Sequence, residues 1–308
     1  MLDRRTFILI DNDGNTYDVT SKDSAFFYGI TGLGYEKETE FQRIKERFAL
    51  LKKDLKQTVI SGTVRFWQKN AEQKYFEFAQ FCQNSPLRIA YNPKVGVTQS
   101  TEYSTAYAEG TTVYLPSTWL SPVNYYRDGY ITKIEKADGV GDCLTVNIEF
   151  TALTPWYKTV TEYNYGNVIT GGKKYNYKYS YVYKGGVANT VEIESDSRLP
   201  SPIKLVIIGA ATNPTWRHYL NGELVTEGKV NGVILPDHRL VIDTTTIPYS
   251  IKEYDALGNF VADLYQASDF STDRFIRLGY GTNLITVTAE DVNILGIGVE
   301  AQIEYASV

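Results

Sequence analysis

A strand that stops at a proline divides the chain near its middle. Residues 146–150 alternate apolar and polar side chains, the period of two that indicates a half-buried strand. Pro155 cannot donate a hydrogen bond to a sheet, and it biases the preceding residue towards an extended backbone. Trp156 and Tyr157 follow, and such side chains can cap a core or support a second module. We interpret this stretch as the last strand of one β domain, with Pro155, Trp156 and Tyr157 as the joint to another.

Length and composition agree with two β domains. A chain of 308 residues is natural for two domains of about 150 residues each, which we place at 1–157 and 158–308. The chain holds 25 Tyr and 13 Phe against a single Met. Aromatic side chains favour pleated, half-buried surfaces and are common at interfaces. We therefore expect a mainly β protein.

Charge and targeting signals narrow the classes of function. The net charge is −5 and neither half is strongly basic, which argues against a protein that binds nucleic acid over a broad face. The apolar run at residues 7–10 is too short for a signal peptide, and no apolar run approaches the length of a membrane span. We expect a protein without a membrane span that is made and kept in a cytoplasm until it is used.

The first half contains one convincing helix signal. Asn70 is a favourable N-cap, and Gln73 stands three residues later, as in a capping box. Apolar residues then recur on one helical stripe until Pro86 ends the pattern. The sequence predicts that this helix packs its aromatic stripe on a β-sandwich formed by the rest of the first domain.

The densest charge on the chain lies between residues 36 and 56. One interpretation is a solvated helix or hairpin that carries both signs of charge. The other is a protruding loop that meets a neighbouring subunit through complementary charges. On the second interpretation the candidate interface residues are Lys37, Arg43, Lys45, Arg47, Lys52, Lys53 and Lys56.

The second half carries no helix signal. Its short strands, separated by regularly spaced turn residues, predict a β-sandwich. A Tyr-rich hairpin is predicted over 158–190, in which five tyrosines between 175 and 183 alternate with other residues and so share one face. A structural stacking surface is the simplest role for this face. A sugar platform or a subunit contact remains an alternative.

Motifs for catalysis are missing from the sequence. The two histidines, His218 and His238, stand in no recognised catalytic spacing, and there is no nucleophile elbow, zinc-protease motif or Walker loop. No pair of carboxylates can be assigned to opposite sides of a cleft, as a glycosidase requires. The sequence therefore predicts that the protein is not an enzyme and has no cofactor and no metal.

The order of these features resembles the distal tail proteins of long, non-contractile-tailed bacteriophages. The charged segment is followed by a strand at 60–66, the helix, a strand at 87–91 that ends in Asn92-Pro93, and the close at Pro155. The turn at 281–283, before the penultimate strand, is similar to one in the galectin-like second domain of that family. The resemblance implies an N-terminal belt domain and a C-terminal galectin-like β-sandwich. It also implies a hexameric ring at the tail tip around a channel for DNA.

The resemblance further implies a set of partners. These are other copies of the chain, the tail tube protein, the tail-associated protein, and receptor-binding or other baseplate proteins, with DNA only passing through. Assembly would take place in the cytoplasm of the bacterial host. The joint would set the angle at which the second sandwich leaves the ring. On this interpretation Trp156→Ala loosens the angle and leaves both domains folded.

Two other functions stay open. The first is a carbohydrate-binding protein that recognises a host cell-wall glycan through the second sandwich. Trp216, Arg217 and His218 are residue types that such a site uses, and we take them as its candidate contacts. The second, weaker alternative is an enzyme that acts on cell-wall glycans.

Overall fold

The computed structural model describes residues 5–20, 25–67, 70–93, 104–108, 111–115, 124–137, 143–165, 189–290, 294 and 296–308. The chain divides into two compact units. Unit 1 consists of residues 1–158 together with 305–308, and unit 2 consists of residues 159–304.

Unit 1 is built from strands and one α-helix within its described residues. The last of its strands runs past Lys158 into unit 2. In chain order the elements are β1 (Thr6–Ile10), β2 (Thr16–Asp18), β3 (Phe26–Thr31), β4 (Lys37–Ile44), β5 (Arg47–Leu55), β6 (Val59–Trp67), α1 (Ala71–Phe81), β7 (Leu87–Asn92), β8 (Ser104–Ala108), β9 (Thr111–Leu115), β10 (Tyr125–Lys136), β11 (Cys143–Ala152) and β12 (Trp156–Tyr165).

Strand β10 belongs to two sets of antiparallel strands in unit 1. Its first half pairs with β7, which continues through β1 to β2. Its second half pairs with β11, which continues through β6 to β3. Gly129 stands where the partner changes, and a Cβ there would lie 2.3 Å from the Thr151 carbonyl oxygen. Only glycine allows so close an approach of two backbones.

The core of unit 1 lies between these strands and the helix. Phe66, Val146 and Phe78 are fully buried, and the Phe66 and Phe78 rings lie 5.6 Å apart. The helix buries Ala71 and Phe78, as its apolar stripe predicts. Asn70 precedes the helix, but its side chain makes no capping hydrogen bond, so the predicted capping box is wrong.

Strands β4 and β5 form a two-stranded sheet of their own. The charged segment is therefore a hairpin, which was one of the shapes expected for it. Strands β8 and β9 form a second isolated pair.

Unit 2 consists of two larger antiparallel sheets and a small two-stranded one. One sheet has the order β24-β14-β19-β20-β21, with β22 beside β14, and the other has the order β13-β23-β16-β17. Its strands are β13 (Thr190–Ser195), β14 (Ser201–Ile208), β15 (Ala211–Thr212), β16 (Thr215–Leu220), β17 (Glu223–Lys229), β18 (Val233–Ile234), β19 (Arg239–Asp243), β20 (Ser250–Tyr254), β21 (Phe260–Asp263), β22 (Arg277–Leu278), β23 (Gly281–Thr288) and β24 (Gly296–Tyr305).

Alternation of buried and open positions defines the core of unit 2. In β14 the side chains of Ile203, Leu205 and Ile207 are buried, whereas Lys204 and Val206 are more open. Ile285 and Val287 of the other sheet are buried as well. The predicted mainly β fold is thus confirmed. The predicted tyrosine ladder at 175–183 lies outside the described residues.

Candidate functional site

The β4–β5 hairpin is exposed along most of its length. Its turn holds Lys45 at a φ of 56°, a left-handed conformation, and the Arg43 Nε donates a hydrogen bond to the Lys45 carbonyl oxygen at 3.0 Å. The strands pair from Lys37 opposite Leu55 to the turn, with a bulge that leaves Leu51 without an opposite residue.

The two sides of the hairpin differ in chemistry. Residues that lie directly opposite each other point to the same side of a sheet, so the pairing assigns each residue to a side. One side, which we call the apolar face, consists of Lys37, Thr39, Phe41, Arg43, Phe48, Leu50, Lys53 and Leu55. The other, which we call the charged face, includes Glu38, Glu40, Gln42, Arg47, Ala49, Lys52 and Asp54.

Large apolar side chains on the hairpin face solvent. Phe41 is 59% exposed and Phe48 is 71% exposed, and Leu50 and Leu51 are about half exposed. Clustered exposure of this kind marks interaction surfaces, whereas single exposed apolar residues are common. The contact predicted from the sequence consists of the cations of this segment and does not include the phenylalanines between them.

The charged face holds its own ion pairs. Lys52 Nζ lies 3.5 Å from Glu38 and 3.3 Å from Asp54, and Lys56 Nζ lies 2.8 Å from Glu36 at the base of the hairpin. The hydrogen bond to Asp54 and the charge of Glu38 raise the pKa of Lys52. All these side chains are largely exposed, and such pairs contribute little to stability.

The seven predicted interface cations therefore differ in the partners that they have within the chain. Lys52 and Lys56 are paired within the chain, and Lys37 lies 5.0 Å from the centre of the Tyr35 ring. Within the described parts of the chain, Arg47 and Lys53 make no ion pair. Lys53 is thus a better candidate than Lys52 for a contact with another molecule.

The predicted joint is part of the core of unit 1. Trp156 is fully buried and donates a hydrogen bond from Nε1 to the Leu33 carbonyl oxygen at 3.1 Å. The Tyr157 hydroxyl donates to Asp128 at 2.8 Å, and burial together with the Asp128 charge raises the pKa of Tyr157. A side chain this buried supports the fold, so we expect Trp156→Ala to destabilise unit 1 and not only to loosen a joint.

The predicted glycan contacts also lie in a core. Trp216 is fully buried and donates from Nε1 to the Arg274 carbonyl oxygen at 2.8 Å. His218 is fully buried as well, with Nε2 at 3.0 Å from Asn283 Oδ1, and burial lowers the pKa of its imidazole. Only Arg217 is partly open, and it pairs with Glu227 at 2.8 Å. Trp216 and His218 cannot contact a glycan from these positions.

A groove of about 760 Å³ runs over the open side of the β24-β14-β19-β20-β21 sheet in unit 2. Tyrosine rings and charges of both signs line it. They include Tyr163, Lys204, Asp237, Arg239, Asp243 and Tyr254.

Metal sites and membrane-spanning helices are absent from the described residues. Among the described ranges, no three His, Cys, Asp or Glu side chains lie close enough together to hold a metal ion. No helix in that part of the chain is both long and apolar enough to cross a membrane.

Comparison with known proteins identifies a family domain in the first part of the chain. Residues 6–105 match the family model of the distal tail protein, N-terminal domain. No curated protein matches the sequence.

Solved structures match almost the whole chain. A chain of the phage P2 baseplate, in its activated conformation with calcium, is 14% identical with a TM-score of 0.61, over 99% of this chain and 100% of the other. The Dit protein of phage SPP1, described as a paradigm of the hub adsorption apparatus in phages that infect Gram-positive bacteria, is 12% identical with a TM-score of 0.55, over 97% and 99%. At these identities the likeness shows a shared fold. The resemblance drawn from the sequence is confirmed: residues 6–105 match the N-terminal domain of the distal tail proteins, and the chain shares its fold with baseplate and hub proteins of phages.

Proposed function

We propose that this protein forms a hexameric ring at a phage tail tip and joins the tail tube to the baseplate. The first unit would form the belt around a channel for DNA, and the second would be a galectin-like sandwich that faces outward. Tail tube, tail-associated and receptor-binding proteins would be the partners. The ring would assemble in the cytoplasm of the bacterial host, and neither catalysis nor a cofactor is part of this function.

The observation that carries the proposal is the exposed apolar face of the β4–β5 hairpin. A two-stranded sheet is marginally stable by itself, and covering it with another molecule supplies the missing contacts. Burying a phenylalanine or leucine side chain contributes about 1.5–3 kcal/mol. Burial of the exposed Phe41, Phe48 and Leu50 side chains would therefore strongly favour association.

The unlike faces of the hairpin favour a ring over a symmetric pair. In a head-to-tail contact, one surface of a copy meets a different surface of the next, and rotation closes the series into a ring. The apolar face includes Lys37, Arg43 and Lys53 and no acidic residue. It therefore fits an apolar surface with acidic groups at its rim, and it does not fit a second apolar face.

The proposal is tested by changing the apolar face alone. Phe41→Ser combined with Phe48→Ser should weaken ring formation by about tenfold or more, because the exposed rings contribute binding area and almost no folding energy. Mass photometry over a dilution series measures the assembly. Phe76→Ser is the matched control, because Phe76 is 56% exposed and belongs to α1, not to the hairpin.

Two results decide the test. A loss of assembly in the hairpin variant, with Phe76→Ser unchanged and both monomers folded by circular dichroism, supports the proposal. Rings that form equally well in the hairpin variant contradict the assignment of the contact.

A second candidate function is glycan binding in the groove of unit 2. It is favoured by the combination of Tyr254 with Arg239, Asp237 and Asp243, because saccharides stack on aromatic rings and exchange hydrogen bonds with charged groups. Calorimetry with host cell-wall polysaccharide should then show binding that Tyr254→Ala abolishes and Tyr280→Ala leaves intact. Tyr280 is 58% exposed and does not line the groove. No binding by the unchanged protein eliminates this candidate.

A further inference from the structure

Arg127 in β10 is a buried arginine with an incomplete set of partners. Only 4% of the residue is exposed. Its Nε donates to the Thr154 carbonyl oxygen at 2.9 Å, its Nη2 lies 3.5 Å from the Thr58 hydroxyl, and its Nη1 has no hydrogen-bond partner among the described residues. A buried donor without a partner is costly, and proteins normally satisfy such a group.

The charge of Arg127 is also uncompensated in the described structure. Burial lowers the pKa of its guanidinium to about 10, so the group stays charged at neutral pH. No carboxylate of the described residues forms an ion pair with it. The neighbouring Arg88 differs, because its Nε lies 2.7 Å from Asp128. Buried charges are ordinarily paired.

Arg127 is one of the residues that line a cavity of about 280 Å³. Its other lining residues include Tyr35, Leu55, Lys56 and Thr58, and none of the lining residues is acidic. The volume suits one side chain from another molecule. Positive charge, hydroxyl groups and apolar walls together favour a carboxylate over a neutral or cationic group.

We propose that the Arg127 cavity binds a carboxylate, and that this carboxylate is an acidic side chain of a second copy of the chain. The identity of the second copy rests on the proposed ring. The cavity lies at the base of the β4–β5 hairpin, and Leu55 belongs both to it and to the apolar face. Contact through that face therefore brings a neighbouring copy to the cavity.

The hairpin also carries exposed acidic side chains that can enter the Arg127 cavity of a neighbouring copy. Glu38 and Asp54 are held by Lys52 within the chain. Glu40 and Glu46 are exposed and form no ion pair within the described ranges. They are the two candidates for the side chain that enters the cavity of the next copy.

The first test compares assembly of the full chain with its variants by mass photometry. Arg127→Met should weaken ring formation by about tenfold or more, because the partner's carboxylate would be buried without a counter-charge. Arg88→Met is the control and should change it by less than about twofold, since its partner is within the chain. Either Glu40→Gln or Glu46→Gln should weaken assembly to the same extent as Arg127→Met. Combining that Glu variant with Arg127→Met should weaken assembly no further. Unchanged assembly of Arg127→Met overturns the proposal.

The second test separates the cavity from the ring. Glutarate is the probe, titrated against sodium chloride of equal ionic strength while thermal unfolding of the unassembled chain is followed. Glutarate should raise the Tm of the unchanged chain saturably and leave Arg127→Met unaffected. If the chain never assembles but glutarate raises the Tm of the unchanged chain alone, the cavity is a carboxylate site. The carboxylate then does not come from a second copy of the chain. Equal responses of both proteins overturn the site itself. If Arg127→Met does not fold, Arg127→Lys serves in both tests, because it keeps the charge but loses the planar donor pair.

Discussion

At the scale of single residues, Glu304 makes the stability of unit 2 depend on pH. Burial raises the pKa of its carboxyl to about 7. The positive charge of Arg277, whose Nη2 lies 3.7 Å from the carboxylate, offsets only part of this rise. The folded state therefore holds a proton that the unfolded state releases near the ordinary value of 4.5. Stability from this group is complete below pH 4.5 and is lost as the pH rises through 7.

Glu304→Gln should remove this dependence. The amide needs no proton, so the variant should be more stable than the unchanged protein by roughly 1–3 kcal/mol at pH 8 and about equal to it at pH 4. The two backbone hydrogen bonds of residue 304, to Ser197 and Ser201, do not involve the side chain and are kept. Urea unfolding at several pH values measures the difference. Parallel stability curves for the two proteins would contradict the raised pKa.

Trp156 belongs to the core, and its removal should destabilise unit 1. Trp156→Ala deletes a fully buried indole, its hydrogen bond to Leu33 and its contact with the Arg127 guanidinium, 5.1 Å from the ring. The expected loss is about 3–5 kcal/mol. Hydrogen exchange should become faster in the strands of unit 1 and stay unchanged in those of unit 2. Altered small-angle scattering with unchanged exchange would instead favour the purely mechanical joint that the sequence predicted.

The spacing of Trp216, Arg217 and His218 carries a further signal at this scale. Trp216 and His218 are two residues apart in a strand, so they share a face with each other and not with Arg217. This alternation can be seen in the sequence, and it argues against one binding site that contains all three residues. Which of the two faces is buried depends on the opposite sheet, and a single sequence does not contain that information.

At the scale of elements, the hairpin gives the sharpest test of charge. Lys53 lies on the apolar face without an ion pair in the described structure, whereas Lys52 binds Glu38 and Asp54. Lys53→Glu should weaken ring assembly because it places an acid on a face that has none. Lys52→Glu should act mainly on the hairpin itself, with only a small effect on folding, because exposed ion pairs contribute little to stability. Mass photometry and thermal unfolding of both variants separate the two effects.

An equal loss of assembly in both variants would contradict the division of the hairpin into two faces.

The division of the hairpin into two faces could not be predicted from the sequence. The bulge at Leu51 shifts the register of β5, and a shift of one residue moves every later side chain to the other side. By contrast, the strand at 146–150 and the helical stripe could be predicted, because one face of each is buried in the same domain.

At the scale of the whole molecule, the order of the elements was more informative than any single motif. The charged segment, the strand before the helix, the helix and the close at Pro155 all appear in the structure where the sequence places them. Residues 6–105 match the distal tail protein domain, which supports the order as the carrier of the resemblance. The surfaces escaped prediction, because the exposure of Phe41 and Phe48, and the lack of an ion pair for Arg127 among the described residues, depend on contacts between distant parts of the chain.

The central claim is that copies of this chain close into a ring, and particle mass tests it most directly. Native mass spectrometry of the purified protein should show six copies of the 34.8 kDa chain, about 209 kDa, or stacked pairs of such rings. Negative-stain images of the same sample should show a central hole. A protein that stays monomeric at every concentration, or that grows into open chains without a fixed mass, would contradict the account.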